Sequence, residues 1–251
     1  MSDRPVGLEE AAKGLAGAIQ RSVDGSVAGL RRVAVAFSGG LDSSVLVACA
    51  KRRARVVACT TYAAGSRDSA RAGIAAEELG VEFAPVEVTK EGAEVILSWM
   101  DLPFEPTLMD RSLWVVFSAA AQRAEKEGAE AILLGQLADE IFGGYEKYER
   151  ALQEGEERVS AMMGADVEGF ASRGRLRDFR ACSRWTPPRF PFEAQEVVSL
   201  GQSLPLGLKL MAGERKIVLR RAAELLGVPR DLARAEKKAA QYSSGVQKLL
   251  R

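Results

Sequence analysis

The stretch from Val33 to Ser44, VAVAFSGGLDSS, limits what this chain can fold into more than any other: an apolar run stops at two glycines and restarts as an apolar helical pattern. Val33, Val35 and Phe37, with alanines between them, suit a short strand buried in a parallel sheet. Ser38, Gly39 and Gly40 end it. Adjacent glycines admit positive φ and lack β-carbons, so backbone N–H groups can turn inward and approach a polyphosphate closely. Ser38, Ser43 and Ser44 add hydroxyl donors, and the helix continuing through Val45, Leu46 and Ala48 points its N-terminus back at the loop. A carboxylate beside a phosphate is repulsive unless a divalent cation joins them, so Asp42 reads as a Mg²⁺ ligand. The plain alternative is a helix N-cap in a glycine turn. No GxxxxGK[ST] string occurs, so this is not a Walker loop.

Composition narrows the chemistry. A chain of 251 residues with 47% apolar content can bury a full core, as one large α/β domain or one domain with a helical extension. The apolar runs are too short to span a bilayer, and the acidic, polar start MSDRPVGLEEAAK is unlike a signal peptide, so the expectation is a cytoplasmic protein without a membrane contact. Cys49, Cys59 and Cys182 are far apart and form no CxxC pair, which leaves them the role of small buried residues. There is no histidine, so Ser-His and Cys-His nucleophile systems are excluded, and any base must be Asp, Glu, Lys or Tyr. The net charge of +1 conceals an asymmetry: residues 1–172 hold 18 Lys and Arg against 27 Asp and Glu, and residues 173–251 hold 17 against 7. The basic segment could neutralise the acidic one, line a polyphosphate site or bind nucleic acid, with solvated surface charge the default for most of it.

Periodicity organises the rest. Leu8, Ala12, Leu15 and Ile19 predict an amphipathic helix over 7–21. Strands are predicted over 56–61, 83–88 and 131–135, and helices over 69–79, 91–99 and 112–127. Such alternation implies an α/β fold, a parallel sheet with helices on both faces, whose ligands bind at the C-terminal strand ends, where Gly39 and Gly135 lie. Beyond Tyr148 strand signals cease, and a helical C-terminal lobe is expected, with Glu149–Arg158 a solvated helix or mobile loop. The divisions are 1–30, an N-terminal helix; 31–150, the nucleotide-binding core; and 151–251, the helical lobe completing the domain.

A second motif, LLGQLADEIFGGYEKY, follows the strand at Ala131 and places Asp139 and Glu140 at a helix start before Gly143 and Gly144. Helix N-termini favour carboxylates, so a structural cap is one reading. Taken together, SGGLDSS and DEIFGGY resemble the synthetase domain of asparagine synthetases and the related β-lactam synthetase, within the PP-loop ATP pyrophosphatases, which cleave ATP between its α and β phosphates. The resemblance continues in RKIVLRRAAELLGVP (Arg215–Pro229) and, more weakly, in CSRWTPPRFPF and KKAAQYSSG, covering roughly Val33 to Gly245. It implies an adenine nucleotide alpha hydrolase-like fold, ATP and Mg²⁺ as cofactors, Asp42 and Asp139 as metal ligands, and Lys216 on the pyrophosphate. The loop Ser38, Gly39, Gly40, Leu41, Asp42, Ser43 and Ser44 would hold phosphates. Backbone at Val35, Phe37, Thr61, Tyr62 and Gly135 would meet the adenine. Arg215, Arg220 and Arg221 are left to the solvated-helix reading.

Two departures bear on activity. Glutamine-dependent members carry a cysteine nucleophile and a glutaminase domain, whereas this chain starts Met-Ser and reaches its loop by residue 38. The expectation is therefore free ammonia, ammonia from a separate glutamine amidotransferase subunit, or another amine. Family enzymes commonly read GEGxDE where this chain has Gln136, and an amide is no general base. That points to a changed acceptor, with Gln136, Glu140, Tyr145 and Lys216 as the catalytic candidates. Arg189 is kept in PPRFPFEA while flanking acids differ, which points to altered substrate recognition. The function expected is carboxylate activation as an acyl-adenylate, with AMP and pyrophosphate released and amide formed from a small amine, aspartate being the first choice of acid. The alternatives are a tRNA-modifying PP-loop enzyme, although no aromatic-basic platform stands out, and a noncatalytic nucleotide-binding regulator; a homo-oligomer is left open.

Overall fold

The computed structural model describes residues 7–64, 68–235 and 244–251. Five strands form one sheet in the order β3-β2-β1-β4-β5, every neighbouring pair parallel: β1 (Arg32–Ala36), β2 (Arg55–Ala63), β3 (Glu82–Val88), β4 (Ile132–Leu133) and β5 (Pro188–Arg189). The chain winds outward from β1 through β2 to β3, then returns to place β4 on the other flank of β1. The strand order thus reverses between β1 and β4, and an open parallel sheet has its crevice at such a reversal.

Alternation along β1 divides the core. Val33, Val35 and Phe37 face a layer built by α1 (Leu8–Ser26), α2 (Leu41–Ala50), α3 (Asp68–Glu78) and, late in the chain, α11 (Ile217–Leu226). Ala34, with Val57 and Cys59 of β2, faces the opposite layer of α4 (Lys90–Leu97), α5 (Leu108–Lys126) and α9 (Arg175–Ser183). All three cysteines are buried and unpaired, and burial pushes the Cys49 and Cys59 thiols up to about 12, so they pack as small apolar groups.

The predicted elements are present with shifted ends. The third predicted strand is the exception, since only Ile132 and Leu133 carry ladder geometry, although Ala34 N–H donates to Ala131 O and Leu134 N–H to Arg189 O on either side. One expectation is corrected: strand structure does not end at Tyr148. Pro188–Arg189 closes the sheet beyond β4, and β6 (Leu210–Met211) pairs antiparallel with β7 (Glu214–Arg215). A two-residue strand inside a proline-rich turn has no alternation to read. Between the sheet strands run α6 (Ala138–Phe142), α7 (Glu146–Ala151), α8 (Glu156–Gly169), a π-helical turn over Phe170–Gly174, and α9; after β5 comes α10 (Gln195–Ser203). Of the KKAAQYSSG stretch, residues 237–243 lie outside the described residues.

The charge asymmetry is settled across the fold. Arg221 pairs with Glu9 on α1, Arg215 with Glu149, Arg180 with Asp101, and Arg177 with Asp110, each joining the basic segment to the acidic one. Lys209 is the buried exception. Its Nζ reaches Gln202 O at 3.4 Å, and desolvation pushes its pKa down from 10.5 to about 8. Below pH 8 both folded and unfolded chains are protonated and the full cost of burying the ammonium is present. From about 8 to 10.5 the unfolded chain binds more protons, and the cost fades as pH rises. Lys209→Met is therefore expected to raise unfolding free energy by roughly 1–3 kcal/mol at pH 7. Urea unfolding of both proteins at pH 7 and pH 10 checks this, the difference shrinking at the higher pH.

Candidate active site at the strand-order reversal

Two loops meet at the reversal. The first leaves β1 at Phe37 and enters α2, with Gly39 at φ 70°, where its missing β-carbon lets Ala72 Cα of α3 sit within 3.1 Å of the β-carbon position. Ser43 Oγ donates to Gly40 O at 3.1 Å, and Gly40 N–H donates to Ser38 Oγ at 3.3 Å, which holds the turn open at the N-terminus of α2. The second loop leaves β4 at Leu134. A β-carbon on Gly135 would lie 3.3 Å from Asp42 Cβ, so the glycine allows the two loops to touch.

Asp42 and Asp139 converge on one ammonium. Lys216 Nζ bonds Asp42 Oδ1 and lies 2.8 Å from Asp139 Oδ1, and its side chain is 2% exposed. The two carboxylates are also mostly shielded, at 15% and 16%. Gly144 makes the room: a β-carbon there would overlap Asp139 Oδ1 and Lys216 Cε. Backbone strain marks the same place. Leu137 (φ 74°) and Lys216 (φ 60°) have positive φ without being glycine, and they stand immediately before α6 and α11, the helices that start at the cluster. Such conformations cost about 1–3 kcal/mol and persist where surrounding structure fixes them.

The carboxylates suit a hard divalent cation. Mg²⁺ takes oxygen ligands, keeps several waters and is commonly held by one or two carboxylates plus phosphate oxygens. Two Asp side chains drawn onto one point, against a single lysine charge, fit that requirement. Among the described residues no group of three or more His, Cys, Asp or Glu is arranged to hold a metal ion.

Gln136 belongs to a network that its own motif does not announce. Its Nε2 donates to Asp178 Oδ2 at 2.6 Å, Arg177 Nε donates to Asp178 Oδ1 at 2.7 Å, and Arg177 Nη1 donates to Asp110 Oδ1 at 2.8 Å. Asp178 is wholly buried and Arg177 nearly so. Burial pushes the Asp178 carboxyl up while Arg177 and Gln136 pull it down; against the cost of burial, Asp178 and Asp110 keep the guanidinium charged. Asp110 also closes a capping box with Thr107 at the start of α5. The Thr107-Leu-Met-Asp110 spacing is the sequence trace of that cap, but nothing local links it to Arg177 or Asp178, neither of which stands out in the sequence.

Tyr145 Oη donates to Glu140 Oε1 at 2.6 Å. Burial and then the Glu140 and Asp139 charges push the phenol far above its usual range, so Tyr145 stays a proton-bearing donor. The proposed adenine contacts divide. Val35 is wholly buried within the β1 ladder, and Phe37 already donates its N–H to Cys59 O and accepts Thr60 Oγ1 at its carbonyl. Thr61 turns its hydroxyl onto Val116 O, and β2 runs past Tyr62 to Ala63, whose N–H meets Ser244 O. The structure therefore gathers Ser38–Ser44, Gly135, Gln136, Asp139, Glu140 and Lys216 around the reversal, and sets Val35 in the sheet interior.

The chain is similar to known proteins along most of its length. The family model described as asparagine synthase matches residues 14–187 and 153–251. A putative glutamine-hydrolyzing asparagine synthetase of Methanocaldococcus jannaschii is 28% identical over 277 residues, covering 96% of this chain and 51% of its own. The asparagine synthetase domain-containing protein 1 of Mus musculus is 35% identical over 144 residues, covering 54% of this chain and 22% of its own. The chain thus spans about half the length of the first and about a fifth of the second. Among solved structures, NMN synthetase from Francisella tularensis matches over 95% of this chain and 78% of its own, at 12% identity and a TM-score of 0.49.

Removing Arg177 would strand the Asp178 carboxylate without its cation. Arg177→Ala is expected to cost about 3–5 kcal/mol, as for one partner of a buried pair, measured by denaturant unfolding against Arg175→Ala, whose partner pair with Glu193 is more exposed and whose loss should cost no more than about 1 kcal/mol.

Proposed function

The chain belongs to the asparagine synthase family, and on that footing we propose that it activates a small carboxylic acid with ATP and passes the acyl group to ammonia or another small amine. The observation that carries the proposal is the convergence of Asp42, Asp139 and Lys216 where the strand order reverses. In the first half-reaction a carboxylate oxygen attacks the α phosphorus, the bond to the bridging oxygen of the β phosphate breaks, and pyrophosphate leaves. In the second the amine nitrogen attacks the acyl carbon, AMP leaves, and the amine gives up a proton.

Neutralising the departing pyrophosphate is the larger electrostatic demand. The Ser38–Gly40 turn and the N-terminus of α2 would meet phosphate oxygens, and Lys216 would supply a positive charge beside them. Asp42 and Asp139 would hold Mg²⁺, which when bound supplies further positive charge to the polyphosphate. Gln136, fixed through its amide nitrogen by Asp178, offers a carbonyl oxygen that accepts hydrogen bonds and takes no proton. Tyr145 is a donor held on Glu140, so Glu140 is the group of that pair available to receive the amine proton. Aspartate is the first acid to test, because both relatives given above carry asparagine synthetase in their names. A separate amidotransferase subunit is one source of ammonia for such a domain.

The test is chromatography of nucleotide products after incubation with Mg-ATP and ammonium, with and without aspartate. AMP and pyrophosphate should appear only with aspartate, and Asp42→Ala should lower their formation by at least about 100-fold, the scale of losing a stabiliser of transition-state charge. ATP that binds yet stays intact with aspartate and with other small acids would overturn the proposal and leave a nucleotide-binding regulator.

A further inference from the structure

Lys216 stands where the reading above would put a cation. It bonds one oxygen from each of Asp42 and Asp139, its side chain is almost wholly shielded, and the missing β-carbon of Gly144 makes the room in which that pair meets. We propose that in the nucleotide-free protein Lys216 substitutes for the divalent cation, so that the two carboxylates take Mg²⁺ only when a polyphosphate draws the ammonium away. This deepens the reading of Asp42 and Asp139 as metal carboxylates and rests on it.

Charge decides the order. The two carboxylates and one ammonium leave a single negative charge in a shielded place. Free Mg²⁺ entering beside Lys216 would set two cations against each other where little water screens them. A polyphosphate on the Ser38–Gly40 loop changes the arrangement, because Asp42 is the second residue of α2 and the phosphate chain would lie beside it. Its oxygens offer the ammonium a new partner, the carboxylates are released to the metal, and the metal also meets the phosphate. Metal and polyphosphate then help each other to bind by equal factors, as linkage requires. The position of Lys216 suits a short shift of this kind. It is the residue before α11, anchored at its backbone, since Arg220 N–H donates to Lys216 O at 2.8 Å, and only the side chain end must move.

The same arrangement explains a cost. A left-handed backbone at a lysine is unfavourable, yet it aims the side chain between the two loops. A lysine on the regular turn of α11 would not be fixed at that entry point, so the strain serves the placement of the charge.

Equilibrium dialysis against Mn²⁺, a probe for the Mg²⁺ position, tests the proposal without any turnover. Wild-type protein should take up Mn²⁺ at least about tenfold more tightly with pyrophosphate present than without it. Lys216→Gln should bind Mn²⁺ alone at least about tenfold more tightly than wild type, and Asp139→Asn added to it should abolish the gain. Lys216→Arg, which keeps the charge, should stay like wild type. Wild type binding Mn²⁺ alone as tightly as with pyrophosphate overturns the proposal, and this arm needs no variant to fold. Lys216→Gln equal to wild type without pyrophosphate also overturns it. No Mn²⁺ uptake by wild type even with pyrophosphate removes the metal reading of the carboxylates itself, whereas failure of aspartate to yield AMP leaves these results standing.

Discussion

The contact on which the site depends is the one ammonium shared by two carboxylates. Asp42 is separated from Lys216 by 174 positions, and Asp139 comes from a third segment, so the pair of bonds ties the loop after β1, the loop after β4 and the start of α11 into one place. None of these segments is held there by apolar burial alone. The sheet brings the first two together because β1 and β4 are neighbours on either side of the reversal. The third arrives because α11 packs against α1 and α2, with Val218, Leu219, Ala222 and Ala223 buried on that face. Packing delivers the lysine, and the carboxylates fix its end.

This dependence explains where the backbone is strained. Regular helices would begin with a residue in extended conformation, as Thr107 and Thr89 do before α5 and α4. α6 and α11 begin instead with Leu137 and Lys216 at positive φ. Both stand where a loop turns into its helix beside the cluster, Leu137 two residues before Asp139 and Lys216 itself reaching both carboxylates. Of the three helix starts at the charged cluster, two give up that geometry, and the third, α2, keeps it at the extended Gly40. Among the described residues Leu137 and Lys216 are the two non-glycine positions at positive φ, and both border the charged cluster.

Legibility of the fold in the sequence followed the range of the interactions. The glycine turn, the helix after it and the strand before it are fixed by neighbours within a dozen residues, and VAVAFSGGLDSS displays all three. β5 was not legible, because Pro188 and Arg189 become a strand only through β4, more than fifty residues earlier. Lys216 was legible as a charge in a motif resembling a known family, but its partners were not, since no local spacing relates it to Asp42. Arg177 and Asp178 were the least visible. Adjacent opposite charges on a helix read as solvated surface, and only the π-helical turn before α9, with its extra residue per turn, accompanies their rotation inward.

The buried network gives a physical meaning to the departure at Gln136. An acidic side chain there would lie against the Asp178 carboxylate, whose guanidinium partner Arg177 is already shared with Asp110, while the nearby Arg173 reaches Asp110 and not Asp178. Two carboxylates competing for that charge would force one to hold a proton. Glutamine avoids the conflict: its amide nitrogen donates where a second carboxylate would repel, and its oxygen remains an acceptor. The residue at 136 and the residue at 178 are therefore coupled choices. The amide at 136 is thus matched to a carboxylate on α9, so the polar character of the crevice at this point is tied to the opposite layer of helices.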